Sequence, residues 1–316
     1  MSALPPFAPL VPELPPVRSG DPRVGHILGS TCGDGTKPKL ALLGFPFDEG
    51  VRLNGGRVGA AAAPASIRKC FYRLTPDAQA APNFTALLSA SKDYGDLICQ
   101  KDIAKSQELL GQAVSAVLLS SGIPILLGGG HETSFGHFLG FVAARQPVRL
   151  INFDAHADVR ERISGQSHSG SSFRDALEHP SGLCRGYSLV GLQAHSCARS
   201  HVEYLQTRNA QILWAEQVSE GAIAELFAGL SEDALVSIDI DGVDQAYAPG
   251  ASSPATGGLS ARMLLHFAYQ AGLCPHVRSL DIVEVNPTYD RDEQTARLAA
   301  LAIWTFLRGV SNRSKP

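Results

Sequence analysis

The chain has 316 residues and a mass of 33.4 kDa, of which 44% are hydrophobic and 18% charged; that composition excludes wholesale disorder and can bury a sizeable core. The 27 Lys and Arg against 30 Asp and Glu leave a net charge of −3 with no basic run, so nucleic acid is not an expected partner. No apolar stretch approaches the roughly 18 residues of a membrane span, and a soluble protein without a membrane partner is expected.

In chain order, the start MSALPPFAPLVPELPPVRSG is proline-rich and lacks the basic cap and apolar run of a secretory signal. Residues 1–35 therefore read as an exposed arm, followed by one domain over 36–312 with no break in composition. Candidate strands are Leu40 to Gly44, Ile123 to Leu127, Val148 to Phe153, Tyr187 to Gly191, Gln211 to Trp214, Ala234 to Ile238 and Val277 to Val283. Helical patterns fall near 104–120, 133–145, 217–229, 260–272 and 291–308, and the Gly- and Arg-rich stretch from Asp48 to Ala65 reads as a long loop. Most strand runs are apolar without alternation, as strands covered on both faces are. An α/β fold follows, with a mostly parallel sheet and helices on both sides. Cys32, Cys70, Cys99, Cys184, Cys197 and Cys274 form no CxxC pair, which predicts reduced thiols, a cytoplasmic setting and no structural disulfide.

Acids and histidines cluster just beyond three of these strands. ILLGGGH places His131 after one, LINFDAHAD places Asp154, His156 and Asp158 after another, and VSIDID places Asp239 and Asp241 after a third. In open parallel sheets ligands gather at the carboxyl ends of strands, so the clusters are expected to converge. One Asp at a strand end is explained by helix capping. Three ionisable side chains in five residues after an apolar strand demand a positive partner, because desolvating them unpaired is costly. Asp154, Asp158, Asp239 and Asp241 together carry −4, which two divalent cations balance. Oxygen donors with two imidazoles and no thiolate favour Mn²⁺ over structural zinc. Such a pair can lower the pKa of water enough for hydrolysis near neutral pH. Glu284 ends the run SLDIVE and is suited either to ion pairing or to orienting a planar cation such as a guanidinium or amidinium. The glycines of GGGHETSFGH match neither the phosphate loop nor the dinucleotide fingerprint, and no GxSxG elbow supports a serine hydrolase.

Taken together, GGGH at 128–131, FDAHAD at 153–158, SIDIDGVD at 237–244, PGASSPATGGLS at 249–260 and LDIVEVNP at 280–287 resemble the arginase/agmatinase (ureohydrolase) family in order and spacing. The resemblance spans about residues 40–308. It implies a single three-layer α/β/α domain, two Mn²⁺ per subunit and a homo-oligomer, trimeric or hexameric. It also implies one ion on His131, Asp154, Asp158 and Asp239 and the other on Asp154, His156, Asp239 and Asp241, with Asp154 and Asp239 bridging. The substrate-orienting glutamate of the family falls on Glu284.

Within the family, DEGVRLNGGRVGAAAAP at 48–64 and the Arg160 of DAHADVR are similar to the formimidoylglutamase branch. That likeness places Asn54, Arg57 and Arg160 toward a small amidine substrate bearing carboxylates, and implies hydrolysis of N-formimidoyl-L-glutamate to L-glutamate and formamide. SHSGSSF carries Ser169 where arginases and agmatinases have a proton-shuttling histidine, with His168 displaced by one residue. The proton donor is thus open between Asp241 and a metal-linked water. A guanidino-acid hydrolase releasing urea and a metal-free, catalytically silent relative are the competing expectations.

Overall fold

The computed structural model describes residues 4–10, 13–32, 36–79 and 81–313. Eight strands form one sheet: β1 (Leu40–Gly44), β2 (Lys92–Asp96), β3 (Ile123–Leu127), β4 (Val148–Phe153), β5 (Cys184–Leu192), β6 (Gln211–Trp214), β7 (Ala234–Asp239) and β8 (Val277–Val283). Every pairing is parallel, in the order β2-β1-β3-β8-β7-β4-β5-β6. Because side chains alternate across a strand, Leu40 and Leu42 enter one core and Ala41 and Leu43 the other. Helices Ala63–Tyr72, Ala81–Ser89, Glu220–Ala228, Ala261–Leu273 and Gln294–Ser311 cover the first face. Ile103–Leu119, Glu132–Ala144, Ser172–Leu177 and Arg199–Thr207 cover the second. The expected three-layer α/β/α architecture is what the chain adopts.

The arrangement that matters for function is the middle of the sheet. Strands β3, β8, β7 and β4 are consecutive neighbours, and their last residues are level: Leu127 pairs with Ile282, Asp239 with Val283 and Phe153 with Ile238. All four of the acid- and histidine-bearing segments therefore leave the sheet side by side at its carboxyl edge, where open parallel sheets bind ligands.

Three expectations need correction. Strand β2 is absent from the predicted set because KDYGD is polar; it is held by the buried Arg68, which donates to Asp93 at 2.8 Å and Asp96 at 2.9 Å, and by the Tyr72 hydroxyl on Asp93 at 2.7 Å. The stretch from Asp48 to Ala65 is not one long loop. It holds a short helix Glu49–Leu53 and a 3₁₀ turn Ala60–Ala62, and from Ala63 it is already helical, with Pro64 in the first turn where its missing N–H is harmless. Among the described residues of the proline-rich start, 13–20 are mostly exposed, but Pro5 is buried and Phe7, Ala8 and Leu10 are partly covered. Residues 5–8 lie along β2: Ala8 donates to the Asp96 carbonyl at 2.7 Å, Ile98 to the Pro6 carbonyl at 3.1 Å, and Phe7 packs on Tyr94. Covering an edge in this way removes a template for unwanted strand pairing. All six cysteines are free thiols, and no helix among the described residues is long and apolar enough to cross a membrane.

Candidate metal centre and active site

His131 leaves β3 through Gly128 to Gly130 and precedes helix Glu132–Ala144. This path needs glycine at 129, where a Cβ would stand 1.8 Å from the Phe47 carbonyl oxygen. The imidazole Nδ1 then lies 2.8 Å from Asp158 Oδ2, 2.9 Å from Asp239 Oδ2 and 3.4 Å from Asp154 Oδ2. Beside it, His156 Nδ1 lies 3.1 Å from Asp241 Oδ2 and 3.5 Å from Asp154 Oδ1. The side chains thus form two ligand groups, His131 with Asp154, Asp158 and Asp239, and His156 with Asp154 and Asp241. Asp154 belongs to both through its two oxygens. Asp239 places Oδ2 in the first group, while its Oδ1 accepts the Asp241 N–H at 2.8 Å and caps the short turn that follows β7.

The electrostatics are those of a site built for cations. Burial, reinforced by the charge of Asp241, pushes the Asp154 and Asp239 carboxyls up. Burial opposes a charge on His131, but Asp158 and Asp239 outweigh it and raise its pKa well above the usual imidazole value. The charge of Asp241 raises His156 against burial in the same sense. His131 Nδ1 is buried with three carboxylate oxygens around it and no hydrogen-bond partner, and Asp241 Oδ1 is equally unpartnered. A buried imidazole nitrogen on which three carboxylate oxygens converge is the arrangement of ligands around a metal, and hard oxygen donors with two imidazoles suit Mn²⁺.

Behind the ligands stands a buried set of side chains absent from the predicted site. His131 Nε2 meets Ser237 Oγ at 3.0 Å, and Ser237 donates to Asp281 at 2.5 Å; Asp281 also takes Ser134 at 3.1 Å and His137 at 2.7 Å. This fixes the Nε2–H tautomer and leaves Nδ1 free to bind. Asp154 is held in turn by Asn152 Nδ2 at 2.8 Å. The signal for Ser237 and Asp281 lay in their level pairing on β7 and β8, with Ser237 two residues before Asp239 and so on the same face. Ser237→Ala is expected to weaken Mn²⁺ binding by about 10–100-fold, the usual cost of losing a partner that orients a metal-ligating histidine; calorimetric titration of the metal-free protein would measure it.

The ligands open into a cavity of about 180 Å³ that is also lined by Asn54, Arg160, Ser169, Ser196, His201, Ser252 and Glu284. Glu284 sits in a left-handed conformation at φ 64° immediately after β8. Its Oε1 accepts the His131 N–H at 2.6 Å while its buried Oε2 has no partner, and burial pushes the carboxyl up to about 7. Asn54 joins Arg160 to the wall, accepting from its Nη1 at 3.1 Å and donating to Ser169 at 3.1 Å. Arg57, expected to face substrate, does not line the cavity. Its guanidinium donates to the Pro249 and Ala251 carbonyls and stacks 4.1 Å from the Tyr289 ring centre, so its donors are spent outside the cavity. His168 turns to the Glu161 carbonyl at 2.9 Å and likewise stays outside the lining.

Comparison with known proteins agrees with this geometry: the arginase family model matches residues 38–308. The chain belongs to the arginase family. Among curated members it is 34% identical over 270 residues to formimidoylglutamase from Geobacillus thermodenitrificans, covering 82% of this chain and 81% of that one. It is 33% identical to formimidoylglutamase from Chromobacterium violaceum, covering 86% and 88%. Among solved members of the family, the Trypanosoma cruzi formiminoglutamase with Mn²⁺ superposes with a TM-score of 0.84 at 29% identity, over 93% of this chain and all of that one. The Bacillus subtilis formimidoylglutamase, at 24% identity and a TM-score of 0.86 over 95% and 96% of the two chains, shares the fold.

Proposed function

We propose that the protein hydrolyses the C–N bond of N-formimidoyl-L-glutamate to L-glutamate and formamide, using two Mn²⁺ per subunit. One observation carries this reading: a single cavity is lined by residues of both ligand groups and by Glu284, together with Arg160. A cation-seeking and an anion-seeking side chain in one small cavity match a substrate with an amidine at one end and carboxylates at the other. The names of the relatives support the same substrate.

His131, Asp154, Asp158 and Asp239 would hold one ion, and Asp154, His156 and Asp241 the other. Such a pair, when bound, supplies Lewis acidity and makes water nucleophilic near neutral pH. The chain's own residues do the rest. Glu284 Oε2 accepts an amidinium N–H and fixes the plane of the reacting carbon. Arg160, braced by Asn54, takes a glutamate carboxylate. Asp241 Oδ1, free of protein partners, takes the proton that the water gives up on attack and passes it to the leaving nitrogen. Six free thiols suit a reducing cytoplasm.

Steady-state assays of the Mn²⁺-loaded protein test the reading, with N-formimidoyl-L-glutamate against arginine, agmatine and guanidinobutyrate. Turnover of the formimidoyl compound is expected to dominate, and faster release of urea from a guanidino compound would sink the assignment. Arg160→Ala is expected to raise KM by about 30-fold, the lower end of the cost of losing one partner of a charge pair, since Arg160 is exposed.

A further inference from the structure

We propose that Glu132 is a positioning residue for substrate, the strut that sets Asn54 and Arg160 in the cavity; the inference rests on the functional reading above and deepens it. Glu132 follows the ligand His131 but belongs to neither ligand group and does not line the cavity. It is fully buried, and its Oε1 accepts the Gly50 N–H at 2.7 Å. The Gly50 carbonyl in turn accepts the Asn54 N–H at 3.0 Å, and Asn54 Oδ1 receives Arg160. An unbroken line of hydrogen bonds therefore runs from the rigid start of helix Glu132–Ala144, through the one-turn helix Glu49–Leu53, to the guanidinium at the cavity.

The contact is close as well as polar. A Cβ on Gly50 would stand 2.5 Å from the Glu132 Cδ, so only glycine lets the carboxyl reach the backbone. At its base, Glu132 is pinned by Gln107, whose Nε2 donates to the Glu132 carbonyl at 2.8 Å. Other bonds of this loop lie outside the helical turn Glu49–Leu53: Asp48 accepts from Gly59 at 2.7 Å, Arg57 N meets the Ser252 carbonyl at 3.3 Å, the Arg57 guanidinium reaches Ala251, and Asn286 donates to the Arg57 carbonyl at 2.8 Å. The Glu132 side chain is what ties the helical turn to the segment that carries a ligand. Glu132 acts through Asn54 and Arg160, so it governs how well the carboxylate end of the substrate is held and not the rate of bond cleavage.

Kinetics of the full-length Mn²⁺-loaded wild type, Glu132→Ala, Glu132→Gln and Gly50→Ala on N-formimidoyl-L-glutamate test this, with manganese content measured on each. Glu132→Ala is expected to raise KM by about tenfold with kcat within about threefold and manganese unchanged, the pattern of lost ground-state binding. Glu132→Gln keeps an acceptor oxygen and should return KM to within about twofold of wild type. Gly50→Ala, which displaces the carboxyl without removing it, should raise KM as Glu132→Ala does. The proposal is overturned if Glu132→Ala keeps the wild-type KM, if kcat or manganese falls while KM holds, or if Glu132→Gln is as impaired as Glu132→Ala. Should Glu132→Ala not fold, a wild-type KM in Gly50→Ala overturns it alone. A wild type that fails to turn over this compound defeats the functional reading instead. In that event hydrogen exchange over residues 49–54 decides the strut: faster in Glu132→Ala than in wild type and Glu132→Gln supports it, and equal rates overturn it.

Discussion

Asp154→Ala is expected to lose at least about 10³-fold in kcat/KM and to retain less manganese than wild type. Asp154 is the side chain common to both ligand groups, with Oδ2 toward His131 and Oδ1 toward His156. Its removal takes an oxygen from each group at once and leaves the Asn152 amide and the His156 N–H without their acceptor. Lewis acid stabilisation by bound metal contributes several kcal/mol to a hydrolytic transition state, and each 1.4 kcal/mol is about tenfold in rate. Chelation of the wild type should produce the same loss and added Mn²⁺ should reverse it, whereas excess Mn²⁺ should not restore the variant. Metal analysis and activity before and after reconstitution check both; a variant that stays metal-loaded and active would remove Asp154 from the centre.

Glu284→Gln comes second in expected effect, with a loss of about 10²-fold in kcat/KM at unchanged metal content. The backbone of Glu284 is held from both sides, its N–H by the Gly129 carbonyl at 2.8 Å and its carbonyl by Ser252 N–H at 3.1 Å. Glutamine can still accept the His131 N–H through one oxygen. It places an NH₂ where the amidinium needs an acceptor, so a charge-assisted hydrogen bond of about 1.5–3 kcal/mol is replaced by opposed donors. The pH profile gives an independent reading. Burial raises the Glu284 carboxyl to about 7; bound cations would draw it lower. Protonation below its pKa removes the acceptor, so wild-type kcat/KM should fall with decreasing pH along a limb at or below about pH 7. The variant should lack that limb. An unaltered limb in Glu284→Gln would show that another group controls it.

The sheet and the ligand clusters were readable in the sequence because both are local patterns. Seven strands announce themselves as apolar runs of strand length, and all six ligand residues as acids or histidines that follow three of those runs. What escaped depends on partners far along the chain. Strand β2 has no apolar run, and its stability comes from Arg68, 25 residues before Asp93. The helical turn Glu49–Leu53 looks like loop until Glu132, 82 residues on, is seen to hold Gly50. Arg57 and Asn54 stand three residues apart in one glycine-rich stretch, yet only Asn54 faces the cavity, since spacing in an irregular segment does not say which way a side chain turns.

The level ends of β3, β8, β7 and β4 divide labour in this molecule. Reactivity is mounted on an inflexible deck, four strands deep in the core, where a small displacement of any one is resisted by its neighbours. Choice of substrate is mounted elsewhere, on the turn around Asn54 and the segment carrying Arg160 and Ser169, which rest on the deck without being woven into it. Grafting a different turn between Phe47 and Gly59 could therefore redirect the enzyme to another amidine while leaving its catalytic engine in place.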